Sequence, residues 1–314
     1  MSLDLQDMGK RLRAYRIGAG LAAEELAARL GVSRAAVYRI EAGELVKIEV
    51  LERLAQVLRT SLASLLGAGV EYHPHAVSYF SRMQQLEAQA DRIVAHFNPV
   101  SYLLTSAEYS GWMKRMLEES APVGDAGLRA RALAEARAIW NILEARKSAA
   151  RDRRPAIVNI VGVPEIERLL ALGLAGRLGL PPAVRQERRE AARREVEHLA
   201  RLMENEPFGV QIGLIEDVLP NVTFQLFYGA SATCLAVSPF RLGELPNIRV
   251  GVATVTAAAE AVSLYESLVE DLWSRALRGQ AGAERLLALA RLSAPAQGTR
   301  RALAGRERRV REIV

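Results

Sequence analysis

A single cysteine, Cys234, stands in 314 residues, so no disulfide forms within the chain and a reducing compartment is expected. Histidine is scarce too, at four residues. His73 and His75 flank Pro74 and make half a metal site at most, with no further Cys or His nearby. The sequences GxxxxGK[ST], HExxH, GxSxG and CxxC are missing, which removes the familiar signatures of phosphate-loop, zinc-protease, serine-hydrolase and dithiol chemistry. Long apolar runs are lacking as well. The stretch Leu169 to Leu180 is interrupted by Arg177 and falls short of the ~18 residues of a membrane span. The opening MSLDLQDMGKRLR has no apolar core of a secretory signal. These absences lead us to expect a cytoplasmic protein with no membrane partner, no cofactor, no metal and no catalytic residue.

What the chain does have is charge and helix. Lysine and arginine number 42 against 36 acidic residues, a net charge of +6 that is compatible with an anionic partner. Up to Gly67 the text is densely helical, with segments 5–17, 23–30, 34–41, 49–58 and 62–66 separated by short gaps holding glycines.

The segment ELAARLGVSRAAVYRIEAG, residues 25–43, reads as two short helices around a tight turn. Leu26, Leu30, Val37 and Ile40 fall on facing sides, Val32 plugs the turn, and Ala27 is small where the helices approach. Gly31 suits the left-handed conformation that ends the first helix, and Ser33 is a good N-cap for the second. That leaves Arg34, Ala35, Tyr38 and Arg39 facing outward, where a recognition helix meets base edges.

On these residues the region from Leu5 to Gly67 resembles the phage-repressor, or Cro/XRE-type, helix-turn-helix family, with GLAAEELAARLGVS, YRIEAG and LERLAQVL as the matching phrases. The resemblance implies an Arg16–Glu41 ion pair, base reading by Arg34, Ala35 and Arg39, and a phosphate contact from Lys47. It also shows departures. Ala22 and Ala23 stand where a polar cap and glutamine commonly hold a phosphate, and Ala42 replaces a frequent asparagine. Fewer phosphate contacts weaken a head, because such contacts dominate affinity.

Beyond the head, residues 68–78 read as a linker, 79–279 as an effector and dimerisation domain, and 280–314 as a basic tail carrying Arg300, Arg301, Arg306, Arg308, Arg309 and Arg311. Apolar positions 79, 83, 86, 90, 93 and 97 run in alternating steps of four and three, a short seam for core packing or for a dimer contact. A long helix is expected over 128–150, with further helices at 164–174, 182–203 and 258–277. Strands are expected at 156–161, 210–216, 222–228, 233–237 and 249–256, where Val, Ile, Thr and Phe concentrate between Gly, Pro and Asn. The fold class is therefore multidomain: an all-α helix-turn-helix head, then an α/β or α+β domain with a mixed sheet covered by helices.

The segment RVGVATVTAAAEAVSLYESLVEDLWSRAL is similar to the close of bacterial effector domains of the phospholipase-D-like kind, here without their HxK catalytic pair. That resemblance implies binding in place of hydrolysis. Ser238, Arg241, Glu244, Asn247 and Arg249 sit in a loop-rich stretch among strands, and the two arginines suit a small anionic ligand. The expected function is a sequence-specific transcriptional regulator, a repressor, binding double-stranded operator DNA with an inverted repeat as a homodimer. Two rivals stand beside it: an antitoxin-like or protein-partner-controlled regulator, and an enzyme with an attached DNA-binding head.

Overall fold

Three- and four-residue apolar spacing builds five consecutive helices: α1 (Leu5–Gly18), α2 (Ala23–Leu30), α3 (Arg34–Glu41), α4 (Ile48–Val57) and α5 (Leu62–Leu66). Met8, Leu12, Leu26, Leu30, Val37, Leu54 and Leu65 close over a common core. The computed structural model describes residues 5–44, 47–67, 69–97, 99–217 and 219–293. The arginines expected to make a basic tail, from Arg300 to Arg311, lie outside the described residues.

After the head come β1 (Val70–His73), α6 (Ala76–Glu87), β2 (Ala90–His96), α7 (Ala107–Glu119), α8 (Ala126–Arg153), β3 (Ala156–Gly162), α9 (Val163–Leu172) and α10 (Pro182–Asn205). The chain continues through β4 (Val210–Ile215), β5 (Thr223–Gly229), β6 (Thr233–Ser238), β7 (Ala253–Thr256), α11 (Ala259–Ser274) and α12 (Gly279–Leu292). The strands form one sheet in the order β1-β7-β6-β5-β2-β3-β4. Strands β2, β3 and β4 are parallel, so helices α7 to α10 provide the long crossovers that parallel neighbours require. The β5, β6 and β7 pairings are antiparallel. The expected mixed sheet with covering helices is what the structure shows.

Alternation along the strands divides the apolar residues between two faces. Ile93, Ile157, Leu214 and Phe227 join the helices α6 to α10 and α12 in the larger core. Val94, Val158, Ile215 and Leu226 turn the other way and meet Val262, Val269 and Leu272 of α11. Within the thick layer Lys147 is almost fully buried, and its ammonium donates to Thr105 Oγ1 at 2.9 Å and to the Ser106 carbonyl at 2.7 Å. Burial pushes this lysine down to about 8.

Three expectations need correcting. Residues 70–73 of the supposed linker are β1, which pairs antiparallel with β7, Val70 opposite Thr256 and His73 opposite Ala253. The strand escaped notice because its buried positions are Glu71 and His73, so no apolar alternation marks it. The seam from 79 to 97 is not one helix: α6 ends at Glu87, and positions 90, 93 and 97 belong to β2 and the residue after it. Residues 280–292 of the supposed tail are α12, whose Ala283, Leu286, Leu289 and Ala290 are buried in the larger core. The arginine-rich stretch that follows, from Arg300 on, hid that apolar spacing.

The head does not hang on a tether. Helix α1 packs against α6, and at Gly18 an added Cβ would fall 2.3 Å from Ser78 Cβ, so this crossing requires glycine. Arg82 of α6, 1% exposed, donates to both carboxylate oxygens of Glu71 at 3.0 Å and to Asp7 Oδ2 at 3.1 Å. Arg11 reaches the same Asp7 oxygen at 2.7 Å and donates to the Leu65 and Leu66 carbonyls, each at 3.0 Å. Gln85 donates to the Lys10 carbonyl at 3.0 Å, and Tyr15 stacks on His73 with ring centroids 4.9 Å apart. Burial opposes ionisation of Asp7, but Arg82 foremost, then Arg11 and Lys10, holds its carboxyl below the usual range. Glu71 is lowered in the same way: Arg82 and His73 together outweigh its burial.

Candidate nucleic-acid interface

The geometry of α2 and α3 follows from their boundary residues. Gly31 takes φ 68° at the end of α2, a conformation costly for any residue with a Cβ. Ser33 then caps α3, its hydroxyl accepting from the Ala36 amide at 3.1 Å. Val37 and Ile40 point into the head core, which fixes the rotation of α3 and turns Arg34, Ala35, Tyr38 and Arg39 to solvent. The side chains of Arg34 and Arg39 are 58% and 63% exposed.

These outward residues are ordered by one another. Arg34 lies 5.3 Å over the Tyr38 ring, donates to the Tyr38 hydroxyl at 3.2 Å and pairs with Glu24 of α2 at 2.6 Å. Arg39 lies 3.6 Å from Glu44. Exposed pairs of this kind hold loosely, so both guanidinium groups are free to exchange a carboxylate for a guanine edge or a phosphate. Arginine reaches guanine O6 and N7 together, and the Ala35 methyl suits the methyl of thymine.

Supporting contacts keep α3 in register. Arg16 of α1 donates to Glu41 at 2.5 and 3.1 Å and to the Leu21 carbonyl at 2.9 Å, tying α1, the following loop and α3. Lys47 is exposed at the start of α4. Ala22, at the start of α2, makes no side-chain cap, and Ala23 is buried.

The residues expected to hold an effector lie at the end of β6 and in the loop after it, where Ser238 and Asn247 spend their polar atoms on that loop. Ser238 is buried and accepts from the Phe240 amide at 2.9 Å. Asn247 donates to the carbonyls of Pro239 at 3.2 Å and Val250 at 2.7 Å, and Arg249 donates to the Ser120 carbonyl. Arg241 pairs with the fully buried Glu244, and burial followed by Arg168 lowers it to about 10. None of the four lines the cavity of about 560 Å³ at the junction of head and sheet.

Asp7, Arg11, Glu71 and Arg82, which dock the head, were not singled out in the sequence. A signal was present: Arg11 adjoins Leu12 and Arg82 adjoins Met83, on the phase of helices that otherwise buries apolar residues. A charge on a buried phase needs a partner.

Residues 7–66 match a family model described as a helix-turn-helix domain. The chain thus carries a helix-turn-helix head, with the DNA binding that such a domain implies, on a second domain of mixed sheet and helices. No curated protein and no solved structure matches the chain. The similarity to phospholipase-D-like effector domains is left without support. Among the described residues no helix is long and apolar enough to cross a membrane.

Proposed function

We propose that this chain is a cytoplasmic, Cro/XRE-type transcriptional regulator that represses by occupying an operator, with the sheet domain serving dimerisation and the sensing of a small-molecule effector. One observation carries the reading: α3 presents Arg34, Ala35, Tyr38 and Arg39 to solvent on a rotation fixed by Val37, Ile40 and the Ser33 cap. In a homodimer two such helices meet half-sites one helical turn, ~34 Å, apart. An effector acts by binding two arrangements of the domains unequally, which changes operator affinity without any catalytic step.

Selection of duplexes from a random library, at fixed moderate salt with the full chain, tests this. The expected result is enrichment of an inverted repeat whose half-site centres lie about one turn apart. Enrichment of a single unrepeated site would remove the dimer, and enrichment of nothing would remove sequence-specific binding by the chain alone.

A further inference from the structure

The cavity of about 560 Å³ between the head and the sheet has the volume of a small-molecule site. Its walls come from both sides of the junction. Asp7 and Arg11 belong to the head, Arg82 to α6, and Phe227, Cys234 and Val255 to the sheet. The apolar surface open to it comes from Leu66, Ala232 and Cys234, and the other flank is the buried charge network.

The charges decide what fits. Arg11 and Arg82 line the cavity with Asp7 and Glu71, two charges of each sign, so an anion gains the guanidinium groups only by displacing a carboxylate. Glu71 is locked by two hydrogen bonds from Arg82 deep in the protein. Asp7 is the accessible carboxylate of the two, 24% exposed against 7% for Glu71. A ligand carboxylate can therefore take over the guanidinium groups that Asp7 holds, with charge-assisted bonds of the same kind.

We propose that this cavity binds a small monoanion with a ring-sized apolar body, its carboxylate replacing Asp7 on Arg11 and Arg82 and its body resting on Leu66 and Cys234. Binding then trades the contact between α1 and α6 for contacts to ligand, and so loosens the docking of the head. The effect on DNA rests on the regulator reading above; the site itself does not.

Cys234 lines the cavity and is the chain's sole cysteine, so its alkylation by monobromobimane reports occupancy in the unmodified full-length protein. The probes are acetate, benzoate, 2-naphthoate and neutral benzamide at constant ionic strength. Benzoate or 2-naphthoate should slow alkylation saturably, about tenfold or more, whereas acetate and benzamide should leave it unchanged. Asp7→Asn removes the competing carboxylate and should lower the benzoate concentration required. Ala232→Trp, placed on the cavity wall away from the charges, should abolish protection. Failure of both aromatic acids to protect, or equal protection by benzamide, overturns the anion site. Protection without faster amide exchange in α1 overturns the coupling to the head. If no duplex is bound while protection holds, the regulator reading fails and the site survives.

Discussion

The head's core joins Met8, Leu26, Val37, Leu54 and Leu65, side chains from five helices that follow directly along the chain, whereas the sheet sets Val70 against Thr256 and brings Ile157 beside Val210. Paired ions are buried in both places: Asp7, Arg11, Glu71 and Arg82 fasten the head, and Arg146 pairs with Glu87 inside the sheet domain, which also buries Lys147 against neutral oxygens. The head's elements are set by contacts within neighbouring helices, whereas the sheet needs residues far apart along the chain to meet.

The contrast breaks most sharply at Arg82. Arg82→Ala leaves Glu71 buried without its guanidinium and should cost about 3–5 kcal/mol, read by thermal unfolding, with faster exchange of α1 amides. Pairing Arg82→Met with Glu71→Leu should recover most of that loss, and failure to do so would mean that the ions do more than neutralise each other. Next come Leu26→Ala in the head and Ile139→Ala in the sheet domain, both at 0% exposure, each expected to cost about 2–5 kcal/mol. Hydrogen exchange should place the first loss in α1 to α5 alone; equal loss in β2 and β3 would make head and sheet one cooperative unit.

Smaller effects separate recognition from stability. Arg39→Ala should relax one base position by about 1–3 kcal/mol in duplex selection. Its melting temperature should stay near that of the parent, since the side chain is exposed. Ser33→Ala does the reverse: it removes the α3 cap and should cost about 1 kcal/mol of head stability.

The response to pH has the same sign in the two regions but belongs to opposite ends of the pH scale. Asp7 and Glu71 titrate below the usual carboxylate range when folded, so their contribution is complete above that range and is lost as pH falls through the lowered native values. Lys147 is lowered to about 8, so the unfolded chain holds its proton more tightly and stability rises as pH climbs above 8 towards the ordinary lysine value. Melting curves against pH should lose that alkaline rise in Lys147→Met and keep the acid fall.

What was legible follows the same division. Ser33, Gly31 and the spacing of Leu26, Leu30, Val37 and Ile40 act within one or two helical turns, so the head's elements and the outward face of α3 could be read directly. Strands β3 to β6 were legible from their β-branched residues, with short shifts at the ends, whereas β7 fills only the second half of the expected 249–256. Strand β1 was not, because its partner lies far along the chain and its inward side chains are Glu71 and His73. Helix α7 and the packing of α12 were missed, the latter because the chain runs on from it into the arginine-rich stretch that begins at Arg300. Ser238 and Asn247 looked like ligand groups by type and place; only coordinates show them bonded to their own loop.

Helix α1 has two inner sides, one in the head core at Met8 and Leu12 and one against α6 at Asp7, Arg11 and Gly18. This bears on how such a protein is put together over evolutionary time. A gene fusion cut near residue 68 would exchange a head that carries half of a matched ionic lock, leaving Arg82 without Asp7 and Glu71 without Arg11. A new DNA specificity is thus reached more cheaply by changing the outer face of α3 than by trading heads.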